Sequence, residues 1–117
     1  MATLSTHALD TMNGCPAAGM AVALYRVGTD AVSLLHQAVL NDNGRAPDLT
    51  QAASALTVGR YRLVFQVAAY FLVRGVALPE PPFLDEVSVD FGIAEASGHY
   101  HVPLLASPWS YSTYRGS

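Results

Sequence analysis

The sequence predicts an all-β fold, an antiparallel sandwich of two sheets, and three features predict it. Apolar and polar residues alternate wherever the chain is regular. Turn signals separate these short stretches at regular spacing. Nothing in the pattern supplies the long helices that a doubly wound parallel sheet needs between its strands.

Each element follows in order. Leu4 to Asp10 reads as a short strand. Met20 to Val27 and Ser33 to Leu40 alternate in the same way, and Gly28-Thr29-Asp30 between them forms a hairpin loop. Thr50 to Leu56 is alanine-rich, compatible with one helical turn or an irregular loop. Tyr61, Leu63, Phe65 and Val67 fall on one strand face. The continuous apolar run Val67 to Arg74 favours a short helix ended by Gly75. Pro79, Pro81 and Pro82 keep the chain out of regular pairing until a strand begins near Asp85, with Val87, Val89, Phe91 and Ile93 on one face and Glu86, Ser88 and Asp90 on the other. In the strand Tyr100 to Leu105, Pro103 cannot donate to a ladder, which points to an edge or a bulge. The stretch from Trp109 to the C-terminus, rich in aromatic and hydroxyl residues, reads as an ordered strand at a surface or interface.

The 117 residues are the length of one domain, 1–117, without repeat or low-complexity tract. Hydrophobic residues make up 51% and charged residues only 13%. That is more apolar side chain than so small a monomer hides, and the surplus is expected in subunit contacts. The net charge is -3 and there is no lysine, so no basic stripe exists for nucleic acid. Cys15 is the only cysteine, which excludes an internal disulfide and fits a reducing compartment. No apolar run reaches the roughly 20 residues that span a bilayer, and the N-terminus lacks a basic start followed by an apolar stretch. A cytoplasmic protein with no membrane partner is expected.

Four histidines stand out. His36, mid-strand with no acid adjacent, reads as structural or exposed, and His99, after Ser97-Gly98, as a solvated turn residue. His7 and His101 lie in strands, which hold an imidazole more firmly than loops do. His99 and His101 share a face by parity and could make two metal ligands, but no third ligand is fixed by the sequence, and no metal is expected. Arg45 follows Asn43-Gly44, a pair suited to a positive-φ turn that would present the guanidinium at a defined place.

These scattered residues fall into three motifs. Leu4-Ser5-Thr6-His7-Ala8-Leu9-Asp10-Thr11, with Gly14 and Pro16-Ala17 after it, resembles the N-terminal signature of the 5-hydroxyisourate hydrolases, a transthyretin-like family. Asn43-Gly44-Arg45 resembles their middle motif. His99-Tyr100-His101-Val102-Pro103-Leu104-Leu105, followed by Ser107-Pro108 and Tyr111-Ser112-Thr113-Tyr114-Arg115-Gly116-Ser117, is similar to their C-terminal signature almost residue for residue. The last four residues separate these hydrolases from transthyretin, the hormone carrier of the same fold. Ala8, Ala106 and Trp109-Ser110 depart from the usual valine, larger aliphatic and Tyr-Gly.

The resemblance implies a transthyretin-like sandwich with one short helix, assembled as a homotetramer, whose sites lie in the channel between two dimers. It implies hydrolysis of 5-hydroxyisourate to 2-oxo-4-hydroxy-4-carboxy-5-ureidoimidazoline, without a cofactor. His7 and His101 would activate water, and Arg45 would bind substrate and stabilise charge. Tyr114 would offer a hydroxyl to the substrate, and the α-carboxylate of Ser117 would orient an imidazole. The alternative is a non-catalytic carrier of a small aromatic ligand in the same channel.

Overall fold

The computed structural model describes residues 1–116, which form two four-stranded sheets and two short helices. The strands are β1 (Thr3–Asp10), β2 (Cys15–Pro16), β3 (Ala21–Val27), β4 (Val32–Val39), β5 (Gly59–Gln66), β6 (Glu86–Ile93), β7 (His99–Ala106) and β8 (Tyr111–Thr113). The helices are α1 (Pro47–Ala52) and α2 (Val67–Val73). One sheet runs in the order β2-β1-β7-β8 and the other β4-β3-β5-β6.

Alternation decides which side of β1, β5, β6 and β7 is covered, whereas the edge strand β4 is open along most of its length. In β1, Leu4, Thr6, Ala8 and Asp10 are buried while Thr3, Ser5, His7 and Leu9 are only partly so. In β7, Tyr100, Val102, Leu104 and Ala106 turn inward. Leu24, Tyr61, Leu63 and Phe65 meet them from the other sheet, and Val67 and Phe71 of α2 complete the centre of the core, so the apolar face read from Tyr61 to Val67 leaves the strand at its last member. Each fully buried large side chain of this kind contributes about 1.5–3 kcal/mol through lost contact with water.

Four expectations change in detail. First, β1 and β7 pair in parallel, from Thr3 opposite His99 to Asp10 opposite Ala106, whereas every other strand pair is antiparallel. Second, α1 begins at Pro47, three residues before the alanine-rich stretch, because a proline that lacks an N–H suits the first helical turn and Asp48 adds favourable charge there. Third, the described residues hold two short helices and not one.

Fourth, the strand that carries Pro103 lies inside its sheet, between β1 and β8. Pro103 has the parity of His101, whose carbonyl accepts the Gly116 N–H, so its missing N–H also faces β8. There β8 pairs only with Leu104 to Ala106, and Thr113 Oγ1 donates to the Pro103 carbonyl at 2.7 Å. The proline thus falls where the ladder has already opened.

One carboxylate is sealed into the fold. Asp10, 1% exposed, accepts hydrogen bonds from the Asn13 backbone and side chain and from the Tyr70 hydroxyl of α2. No helix of the described residues is long and apolar enough to cross a membrane.

Candidate functional site on the outer face of the β1–β7 sheet

The parallel register sets the site. Odd-numbered residues of β1 and β7 point away from the core, so Thr3, Ser5 and His7 share one outer face with His99 and His101. An antiparallel pairing of the same two strands would set different residues opposite one another.

Arg45 reaches this face through a closed turn. Gly44 adopts φ +73°, a conformation that side-chain-bearing residues rarely take. The Asn41 side-chain oxygen accepts the N–H groups of Asn43 and Arg45 at 2.9 and 3.0 Å, and the Asn41 N–H donates to the Arg45 carbonyl at 2.8 Å. The turn is fastened to β1 by the Ala8 N–H donating to the Gly44 carbonyl at 2.9 Å, which sets Arg45 opposite His7. A β-carbon on Gly44 would lie 2.5 Å from the Ala8 carbonyl oxygen, so glycine is needed for the approach as well as for the turn.

The charge of this face follows from its neighbours. His101 is held below the ordinary histidine value of 6.5, first by burial, then by the Arg45 charge, then by His7 and His99. His7 is lowered by burial and by Arg45, and the Asn43 backbone opposes the shift. Both imidazoles are therefore neutral at pH 7, as a group that accepts a proton from water must be.

Two further contacts complete the His101 environment. The Ser5 hydroxyl lies 2.7 Å from His101 Nδ1 and 3.3 Å from His99 Nε2, and Thr3 Oγ1 lies 2.5 Å from His99 Nδ1. On the other side the Gly116 N–H donates to the His101 carbonyl at 2.7 Å. A β-carbon on Gly116 would stand 2.5 Å from His101 Cδ2, so the backbone of the C-terminal motif lies directly on the imidazole.

The structure brings His7, Arg45 and His101 to one face, with Gly116 against His101. Tyr114 is exposed and, with Arg115, lines a separate cleft of about 300 Å³ beside Val89, Phe91 and Tyr100, at the open edge between the sheets. The Arg115 guanidinium stacks on Tyr100, 4.1 Å from the ring centre, and donates to the His99 carbonyl. Ser117 lies outside the described residues. His36 belongs to the other sheet, 3.6 Å from Asp48, and takes no part in this face. Trp109 and Ser110 sit in the β7–β8 turn, closed by hydrogen bonds between Ser107 and Ser110 and by the Phe83 ring beside Trp109. The described residues hold no group of three or more His, Cys, Asp or Glu arranged to bind a metal ion. Thr3 and Ser5 are members of the face that the sequence did not bring to it, while His99, placed beside His101 by parity, proves to be hydrogen-bonded to both of them and is not a free turn residue. Only the register between two strands almost a hundred residues apart could have linked them.

Comparison with known proteins agrees over the whole chain. The HIUase/Transthyretin family model matches residues 4–116. The 5-hydroxyisourate hydrolase of Pseudomonas aeruginosa is 49% identical over 117 residues, covering 100% of this chain and 93% of the relative. The solved 5-hydroxyisourate hydrolase of Klebsiella pneumoniae superposes with a TM-score of 0.82 at 40% identity, covering 100% of both chains. The solved transthyretin of Sparus aurata superposes equally well, at 0.83, but is only 29% identical over 97% of this chain and 96% of its own. The fold is common to both branches, while the sequence lies nearer the hydrolases. This chain belongs to the HIUase/transthyretin family.

Proposed function

We propose that this chain is a cytoplasmic hydrolase of 5-hydroxyisourate, acting as a single domain within a homotetramer. The observation that carries the reading is the meeting of two imidazoles with one guanidinium on the outer face of the β1–β7 sheet, where burial and the Arg45 charge lower the proton affinity of both rings. A carrier would need shape and apolar contact; a hydrolase needs a base, a charge stabiliser and a proton for the leaving group, and this face offers all three.

In the proposed reaction His7 and His101 orient a water molecule, and one imidazole takes its proton as the oxygen attacks a ring carbonyl. Arg45 stabilises the negative charge that develops on the carbonyl oxygen. When the tetrahedral intermediate collapses, the adjoining C–N bond breaks and the imidazolium returns its proton to the leaving nitrogen. The ring opens to a carboxylic acid that releases its proton to solvent to give the carboxylate, and the enzyme returns to its starting state without a covalent intermediate. Tyr114, exposed in a single chain, would contact substrate once the subunits are assembled.

A partner subunit also suits the surface. The proposed face is open in one chain, with His99 and Arg45 exposed. Val32, Leu34, Leu35 and Val39 of β4 and Tyr111 of β8 leave further apolar area uncovered on two edge strands.

The carrier reading shares this fold, since the chain superposes equally closely on transthyretin. The test is to generate 5-hydroxyisourate in situ with urate oxidase and follow its decay with and without the protein, in the presence of a chelator, beside a variant that ends after Thr113. Acceleration that survives the chelator and disappears on truncation supports the hydrolase. A folded tetramer that binds the compound and leaves its decay unchanged would support the carrier.

A further inference from the structure

We propose that Thr3, His99 and Ser5 form, with His101, one directed hydrogen-bonded chain that fixes the His101 tautomer with its proton on Nδ1 and Nε2 free. Ser5 and His99 are then positioning residues for the hydrolysis; this inference rests on the hydrolase reading above.

The geometry comes from the parallel register, which sets Thr3 opposite His99 and Ser5 opposite His101 on the same outer face. Three links join the four side chains: Thr3 Oγ1 to His99 Nδ1 at 2.5 Å, His99 Nε2 to Ser5 Oγ at 3.3 Å, and Ser5 Oγ to His101 Nδ1 at 2.7 Å. With Nδ1 of His101 engaged by Ser5, the nitrogen left to meet water or substrate is Nε2.

Proton counting restricts the arrangements. A hydroxyl carries one proton and a neutral imidazole one N–H. In one direction His101 Nδ1–H donates to Ser5, Ser5 donates to His99 Nε2, and His99 Nδ1–H donates to Thr3. Every link then has one donor and one acceptor, and the partly buried Thr3 hydroxyl is left to donate a hydrogen bond to solvent. In the reverse direction Ser5 donates to His101 Nδ1, the His101 proton sits on Nε2, and the ring cannot accept a proton from water there. If Ser5 accepted from both rings, its own proton would have no acceptor in the chain.

The reaction selects the first direction, because a base needs a bare Nε2. The hydrogen bond at one ring nitrogen sets the state of the other, as a carboxylate does for the histidine of a hydrolytic triad. Here a serine and a second histidine do that work without a buried charge. No proton travels along the chain: water's proton arrives at Nε2 and leaves from Nε2 to the departing nitrogen, while Nδ1–H stays on Ser5.

The experiment measures the ring nitrogens of His101 directly, by 15N NMR of the assembled protein at a pH above the histidine range, beside turnover. In the unaltered protein His101 should carry its proton on Nδ1. Ser5→Ala should shift it to Nε2 or to a mixture and lower kcat about 10–100-fold with KM little changed. Ser5→Thr, which keeps the hydroxyl, should restore both, and His99→Leu should give a smaller loss of the same kind. Because Ser5 and His99 lie on the outer face, these variants leave the core intact. A His101 that keeps its Nδ1 proton in Ser5→Ala, with kcat within about twofold of the parent, would overturn the proposal. Absence of turnover in the unaltered protein would overturn the hydrolase reading instead, and the ring shifts would then decide the tautomer claim alone.

Discussion

Arg45 acts on the imidazoles as well as on any substrate. Its charge is the second cause, after burial, of the lowered proton affinity of both His7 and His101. Removing that charge must therefore raise both values. In an NMR titration His101 should titrate below 6.5 in the parent and move upward in Arg45→Gln, and the acid limb of the rate profile should follow it. Gly116 makes a different kind of demand, since any side chain there would press on the His101 ring. Gly116→Ala should lower kcat/KM about 10–100-fold, because small displacements of a reacting group cost that much, while Tm changes little for a residue outside the hydrophobic core. Kinetics and a melting curve on one preparation would separate the two effects.

At the scale of elements, the structure joins α2 to β1 through Asp10 and Tyr70. Burial alone would raise the Asp10 carboxyl, but hydrogen bonds from Asn13 and Tyr70 and the charge of Arg74 outweigh it and hold the group below its ordinary 3.8. A depressed carboxylate contributes stability above its unfolded value and loses it as pH falls through the folded one. Tyr70→Phe should thus cost about 1.5–3 kcal/mol near neutral pH, less in acid, as urea unfolding at several pH values would measure. The strands were legible because their alternation of buried and open positions is local: Tyr61, Leu63 and Phe65 announce their face without reference to any partner. The hairpin between β3 and β4 and the glycine stop after α2 were legible for the same reason. The parallel pairing of β1 with β7 was not, since nothing in either strand records which neighbour lies beside it. The opposition of Ser5 to His101 was hidden with it. The Pro103 signal was sound in chemistry and incomplete in place, because an opened ladder inside a sheet meets the same need as an edge. His7, Arg45 and His101 were singled out by their motifs, but their meeting on one face depends on the register and on the Asn41–Arg45 turn.

At the scale of the whole molecule, the described chain supplies a reactive face but no cover for it. Apolar residues remain open on β4 and around the β7–β8 turn, where Phe83 and Trp109 are 70% and 57% exposed. Assembly would cover such area, and the proposed tetramer should appear in light scattering as four times the mass of the chain. Activity should fall on dilution as subunits separate, because the stability of an assembly depends on subunit concentration. The central claim is that His101, beside His7 and Arg45, activates water to open the ring of 5-hydroxyisourate. The most direct measurement is kcat/KM of His101→Ala against the parent, both as folded tetramers. The account predicts a loss of about 10²–10⁴-fold; a variant that turns over at nearly the parent rate would contradict it.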